Sequence, residues 1–154
     1  MLNKLKSIFT TPKPTGPAEV IRWFNSAEAT ITKDCTIDGD AWLFNSDQPQ
    51  TFNLFEIENP GVEQCILVYR AQIRTEGVDG RTYLEMWCRF KGKGEFFSKG
   101  FNQALSGTNE WTKKEIPFFL KQGQMPETVK LNLVIEGKGK VWVKDIELLK
   151  TPIE

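Results

Sequence analysis

The chain has 154 residues, 40% hydrophobic and 26% charged, with 20 basic and 20 acidic side chains and no histidine. That is the size and composition of one soluble globular domain. The zero net charge removes the footprint of a nucleic-acid or anionic-membrane binder, and the missing histidine excludes Ser-His-Asp and Cys-His catalysis and His-based zinc sites.

Residues 1–17 read as a lead and linker. In the first nine, Leu2, Leu5, Ile8 and Phe9 share a helical face beside Lys4 and Lys6, an amphipathic pattern that suits either a frayed cap or a short anchor. Three prolines and a glycine follow within residues 10–17, a linker composition. No apolar run reaches the ~20 residues of a transmembrane span or forms a signal-peptide core. A cytoplasmic location is expected if Met1 is the natural start, and an extracellular one if the chain is a cut-down module.

The domain, 18–154, shows strand signals at 20–24, 27–32, 51–58, 64–74, 82–91, 111–119, 128–137 and 140–150, separated by Gly, Pro, Asn and Asp. Short strands at this spacing predict an all-β antiparallel sandwich or barrel. The cleanest is Tyr83 to Phe90, where Leu84, Met86, Cys88 and Phe90 alternate with Tyr83, Glu85, Trp87 and Arg89. Period-2 alternation puts the second set together on the outward face. Pairing 64–74 with 82–91 across a Gly77–Gly80 turn would add Arg70 and Gln72 to that face. Cys35, Cys65 and Cys88, odd in number and without a CxxC, read as buried free thiols.

Near the C-terminus, Val129, Leu131, Leu133 and Ile135 form one apolar face. Gly137-Lys138-Gly139 reads as a tight hairpin, and the apolar phase of the returning strand slips between Val143 and Ile146, predicting a bulge at Asp145. The run from Thr108 to Leu149, with Trp111 opening a strand, the Leu131/Leu133 strand, the glycine turn and Val141-Trp142-Val143-Lys144-Asp145-Ile146, resembles the closing half of a galactose-binding-like jelly roll. This is the β-sandwich of many carbohydrate-binding modules. Leu54-Phe55-Glu56 and Val68-Tyr69-Arg70-Ala71 match its central strands more loosely.

The resemblance implies non-catalytic binding of carbohydrate on a concave sheet face. The candidate ligand residues are Trp87, Tyr83, Glu85, Arg89, Arg70 and Gln72: aromatic rings to stack on the C–H faces of sugars, and planar polar groups to take paired hydroxyls. The alternative is an adaptor whose partner is a protein, docking on the same face or on the Phe96-Phe97 segment. That segment reads either as core or as the mouth of a site, and oligomeric state is left open. The resemblance also implies a structural calcium near Asp145, with Glu28, Asp38 or Asp40 as partners, although Lys144 stands where many members carry a second acid. A third reading pairs Glu85 with Glu136 as the two carboxylates of a glycosidase, which retaining enzymes hold ~5–5.5 Å apart.

Overall fold

The structure, a computed structural model, describes residues 12–154; the predicted amphipathic segment at the N-terminus lies outside the described residues. Nine strands occur among them: β1 Glu19–Phe24, β2 Thr36–Asp38, β3 Ala41–Ser46, β4 Gln50–Glu58, β5 Cys65–Phe90, β6 Gly94–Lys99, β7 Leu105–Leu120, β8 Thr128–Ile135 and β9 Gly139–Pro152. All pairings are antiparallel. The all-β jelly-roll sandwich expected from the sequence is what the chain forms.

Layer one runs β2-β3-β9-β5-β7, using residues 65–76 of β5, with β1 alongside the far half of β9. Layer two runs β4-β8-β5-β6, using residues 82–90 of β5. Inward residues alternate along every central strand, as burial of one sheet face requires. Leu67, Tyr69, Ala71 and Ile73 of layer one meet Leu84, Met86, Leu131 and Leu133 of layer two in one core. Aromatic pairs clamp the layers: Phe24 stacks on Phe55 at 4.0 Å between ring centres, and Phe44 packs on Phe52 at 5.0 Å. Tyr69 reaches across the core, and its hydroxyl donates to the main-chain carbonyl of Asn132 at 3.3 Å.

The expected hairpin at Gly77–Gly80 does not form. Both glycines take positive φ, 60° and 87°, but the chain between them continues outward instead of turning back. Asp79 donates its N–H to the carbonyl of Lys138, and Glu136 donates to that of Arg81, each at 2.7 Å. Main-chain partners from the 136–138 turn therefore replace those a hairpin would have supplied, and β5 bends from one layer into the other. The same contacts convert the expected Gly137–Gly139 hairpin into an arch, since β8 and β9 lie in different layers and do not pair.

Three smaller differences have local causes. Residues 27–32 are not a strand; Glu28 closes a turn on Asn25, and Ile31 and Thr32 donate to Leu54 and Asn53, covering the outer edge of β4. The Ala41-Trp42-Leu43-Phe44 run hides β3 because it does not alternate, although Trp42 and Phe44 are fully buried. Within the predicted linker, Pro14 bridges Ile153 and Thr15 donates to Pro152 at 2.8 Å. The predicted bulge at Asp145 is present: φ is 53° there, and the β5–β9 register slips opposite it.

The arch and the bend are interlocked. A Cβ on Gly137 would run into the carbonyl oxygen of Asp79, and one on Gly80 into that of Glu136. Gly137→Ala is expected to lower unfolding stability by roughly 1–3 kcal/mol, the usual cost of forcing extra volume into a packed site, measured by chemical denaturation. An unchanged midpoint would show that the crossing tolerates separation.

Candidate functional site

Because β5 changes layer, the six residues singled out from the sequence fall into two groups. Tyr83, Glu85, Trp87 and Arg89 lie together on the outer face of layer two. Arg70 and Gln72 lie on the outer face of layer one, across the core from them. The shared platform that needed a hairpin is therefore two faces.

On the face of layer two, period 2 in three neighbouring strands assembles the site. The register sets Glu85 beside Asn132 of β8 and Lys99 of β6, Trp87 beside Lys130 and Phe97, and Arg89 beside Glu95. Glu85 is the hub: its side chain is only 7% exposed. The Trp87 indole N–H and the Asn132 amide each donate to Oε1 at 2.9 Å, and the Lys99 ammonium stands 3.5 Å from Oε2. A buried carboxylate is tolerated only when its lone pairs are taken up in this way. The network fixes the indole plane beside Phe97, whose ring centre is 5.2 Å away and which is 54% exposed.

At the other end of the face, Tyr83 donates its hydroxyl to Glu136 at 2.9 Å, while Arg81 forms two hydrogen bonds to the same carboxylate. Phe101 packs over the Tyr83 ring at 4.9 Å, so this tyrosine is largely covered. Burial, then the bond to Glu136, push the Tyr83 pKa up to about 12. The hydrogen bond from Arg81 holds Glu136 below the usual carboxylate range. Glycosidase general acids need the opposite shift, and Glu85 and Glu136 are each committed to their own donors.

Asn132, Lys99 and Arg81 are not among the residues the sequence singles out, whereas Phe97 belongs to the segment read either as core or as the mouth of a site. The alternation Lys130-Leu131-Asn132-Leu133 in β8 carried enough signal to place Asn132 outward. Phe97 and Lys99 sit in a glycine-bracketed segment whose phase was ambiguous.

On the face of layer one, Arg70 pairs with Glu115 at 3.0 Å, and the Gln72 amide donates to Asp145 at 3.3 Å. With the half-exposed Trp23, Lys113 and Glu147 they line a shallow cavity of about 250 Å³. The expected calcium partners of Asp145 are engaged elsewhere. Asp38 accepts the Trp142 indole N–H, Asp40 lies 3.8 Å from Lys144, and Glu28 accepts the main-chain N–H of Asn25. Among the described residues no three acidic, Cys or His side chains converge on one point.

Phe96 and Phe97 are both more than half exposed, so this segment is not core. Phe96 joins Phe90, Phe118, Phe119 and Met125 along an open cavity of about 410 Å³ at the margin between the layers. Cys65 and Cys88 are buried as expected, and burial raises both thiols, Cys88 to about 12. Cys35 is only part-buried, its Sγ 3.3 Å from the Thr30 hydroxyl. No helix among the described residues is long and apolar enough to cross a membrane.

No family model and no curated protein matches this sequence. Solved structures do match. A CBM4 carbohydrate-binding module superposes with a TM-score of 0.54 at 10% identity, over 84% of this chain and 86% of that one. A CBM29-2 module complexed with mannohexaose gives 0.51 at 11%, over 84% and 82%. The CBM22-1 xylan-binding domain from Paenibacillus barcinonensis gives 0.52 at 9%, over 89% and 97%. The chain therefore has the fold of the β-sandwich carbohydrate-binding modules, along nearly its whole described length.

Two outcomes follow from this geometry. Glu85→Ala leaves the buried Asn132 amide, the part-buried Trp87 indole N–H and the part-exposed Lys99 ammonium without their acceptor and is expected to cost about 3 kcal/mol of stability, the upper end for an unpaired donor, whereas Trp87→Phe, which removes one donor, should cost about 1 kcal/mol; equal effects in denaturant titrations would refute the hub. Tyr69 and Tyr83 are the only tyrosines, and burial raises Tyr69 as well. An unfolded tyrosine loses its proton near pH 10 while Tyr83 keeps its own up to about 12. Over that window the native state binds more protons than the unfolded one, so stability falls as pH rises. Near-ultraviolet phenolate absorbance should stay flat through pH ~10 in the native protein and rise there in denaturant.

Proposed function

We propose that the protein is a non-catalytic carbohydrate-binding module, and that the sugar lies on the outer face of layer two, along Trp87 and Phe97. One observation supports this above the others: an indole held in a fixed plane by a buried carboxylate, beside an exposed aromatic ring and exposed hydrogen-bonding groups. Sugar recognition needs flat apolar surface for C–H faces and oriented polar groups for hydroxyls, and pre-organisation lowers the entropic cost of both. Trp87 and Phe97 supply the surface. Arg89 and Lys130 supply polar groups around it, and Glu85, braced by the buried Asn132 amide, positions the platform.

The fold neighbours suggest the first ligands to try, since one is described as xylan-binding and another was solved with mannohexaose. Affinity electrophoresis on xylan, mannan and β-glucan gels should retard the protein on at least one. Trp87→Ala should weaken that retardation by about tenfold or more, the equivalent of losing some 1.4 kcal/mol of contact, while Trp23→Ala on the opposite face should leave it unchanged. Retardation lost with Trp23→Ala alone would move the site to the Arg70–Gln72–Asp145 cavity. No retardation on any gel would reject the sugar reading.

A further inference from the structure

A sheet edge exposes unpaired main-chain groups, and proteins normally blunt it. Here the outer edge of β4 is covered by Ile31 and Thr32. That of β7 is interrupted by Pro117 and bonded at Glu115 by the Gln103 side chain, which donates to its carbonyl at 2.9 Å. β2 is three residues long, and β1 carries a bulge between Val20 and Arg22. β6 has none of these protections. It pairs with β5 on one side only, and among the described residues nothing else hydrogen-bonds its main chain.

Register fixes which groups this edge offers. Gly100 donates to the Leu84 carbonyl at 2.9 Å, and antiparallel pairs alternate between bonded and non-bonded. Counting back in twos, Ser98 and Phe96 face β5, while the N–H and C=O groups of Glu95, Phe97 and Lys99 face outward. The strand Gly94-Glu95-Phe96-Phe97-Ser98-Lys99 is also self-complementary. When a second copy runs antiparallel about a two-fold axis at Phe97, Glu95 stands opposite Lys99, Lys99 opposite Glu95, and Phe97 opposite Phe97. All three pairs use the residues whose main chain faces the edge; within each copy Lys130 donates to Glu95 at 2.8 Å and Lys99 stands 3.5 Å from Glu85, so the cross-edge contact would join two existing acid–base pairs, and opposite-charge and aromatic cross-strand pairs both stabilise a sheet.

We infer that β6 is an interface for a second copy of this chain, joined edge to edge through Glu95, Phe97 and Lys99. The two-fold contact is isologous, so it closes at a dimer. It extends layer two from four strands to eight and sets two Trp87 faces side by side, a consequence that rests on the sugar reading above; the pairing itself does not.

Sedimentation equilibrium over a concentration series, without sugar, tests the pairing independently of any ligand. The mass is expected to rise from 17.6 kDa toward twice that value. Phe97→Pro removes an N–H that faces the edge and leaves the β5 ladder intact, so it should hold the protein at monomer mass with an unchanged circular dichroism spectrum. In a Cys35→Ser background, a short bis-maleimide should cross-link Phe97→Cys into dimers and leave Glu56→Cys, on the opposite edge of the layer, monomeric. A constant monomer mass, a dimer surviving Phe97→Pro, or equal cross-linking at both positions would overturn the inference.

Discussion

The structure depends on one crossing. Within residues 76–81 the long strand β5 leaves the layer it shares with β7 and β9 and enters the layer it shares with β6 and β8. The crossing is possible because Gly77 and Gly80 accept positive φ and because the arch at 136–138 supplies the hydrogen bonds that the bend would otherwise lack. The candidate site is downstream of it. It separates the two groups of polar residues on β5 and gives layer two the alternation that stands Tyr83, Glu85 and Trp87 on a common face.

The Glu85 network shows how a sheet face is made rigid without a loop. Its carboxylate is placed by β5, its amide partner by β8 and its cation by β6. Three strands must be in register before the indole of Trp87 is held. The cost of burying the charge is met by two hydrogen-bond donors and one cation, so stability and the geometry of this face are linked in one constellation. The opposite face lacks such a hub, and its Arg70–Glu115 pair is a partly exposed surface contact of the kind that contributes little.

Legibility in the sequence followed the range of the forces involved. The alternation of β8 from Val129 to Leu133 and of Tyr83 to Phe90, and the phase slip at Asp145, are local patterns, and they placed the strands, the bulge and the co-facial set Tyr83, Glu85, Trp87 and Arg89. The sandwich itself was readable from turn spacing and from the Thr108–Leu149 resemblance. Whether Gly77-Val78-Asp79-Gly80 turns back or carries straight on was not a local question. Lys138 and Glu136, some sixty residues away, supply the partners that decide it. Arg70 and Gln72 were assigned to the wrong face for that reason alone. Asn132 stands in the polar phase of β8 and is legible from it, whereas β3 is masked by an apolar run with no period at all.

The layer-crossing strand also governs how the chain must assemble. β5 pairs with β6, β7, β8 and β9, and the last two lie some forty to eighty residues further along the sequence. Neither layer can be completed until the C-terminal third has emerged and returned, so early loop closure is repaid late. Chains dominated by such distant pairings fold on the order of milliseconds to seconds. While it waits, the nascent β5–β6 hairpin exposes Leu84, Met86 and Phe96 together, which makes the interval before β8 docks the stage at which this protein is most exposed to aggregation.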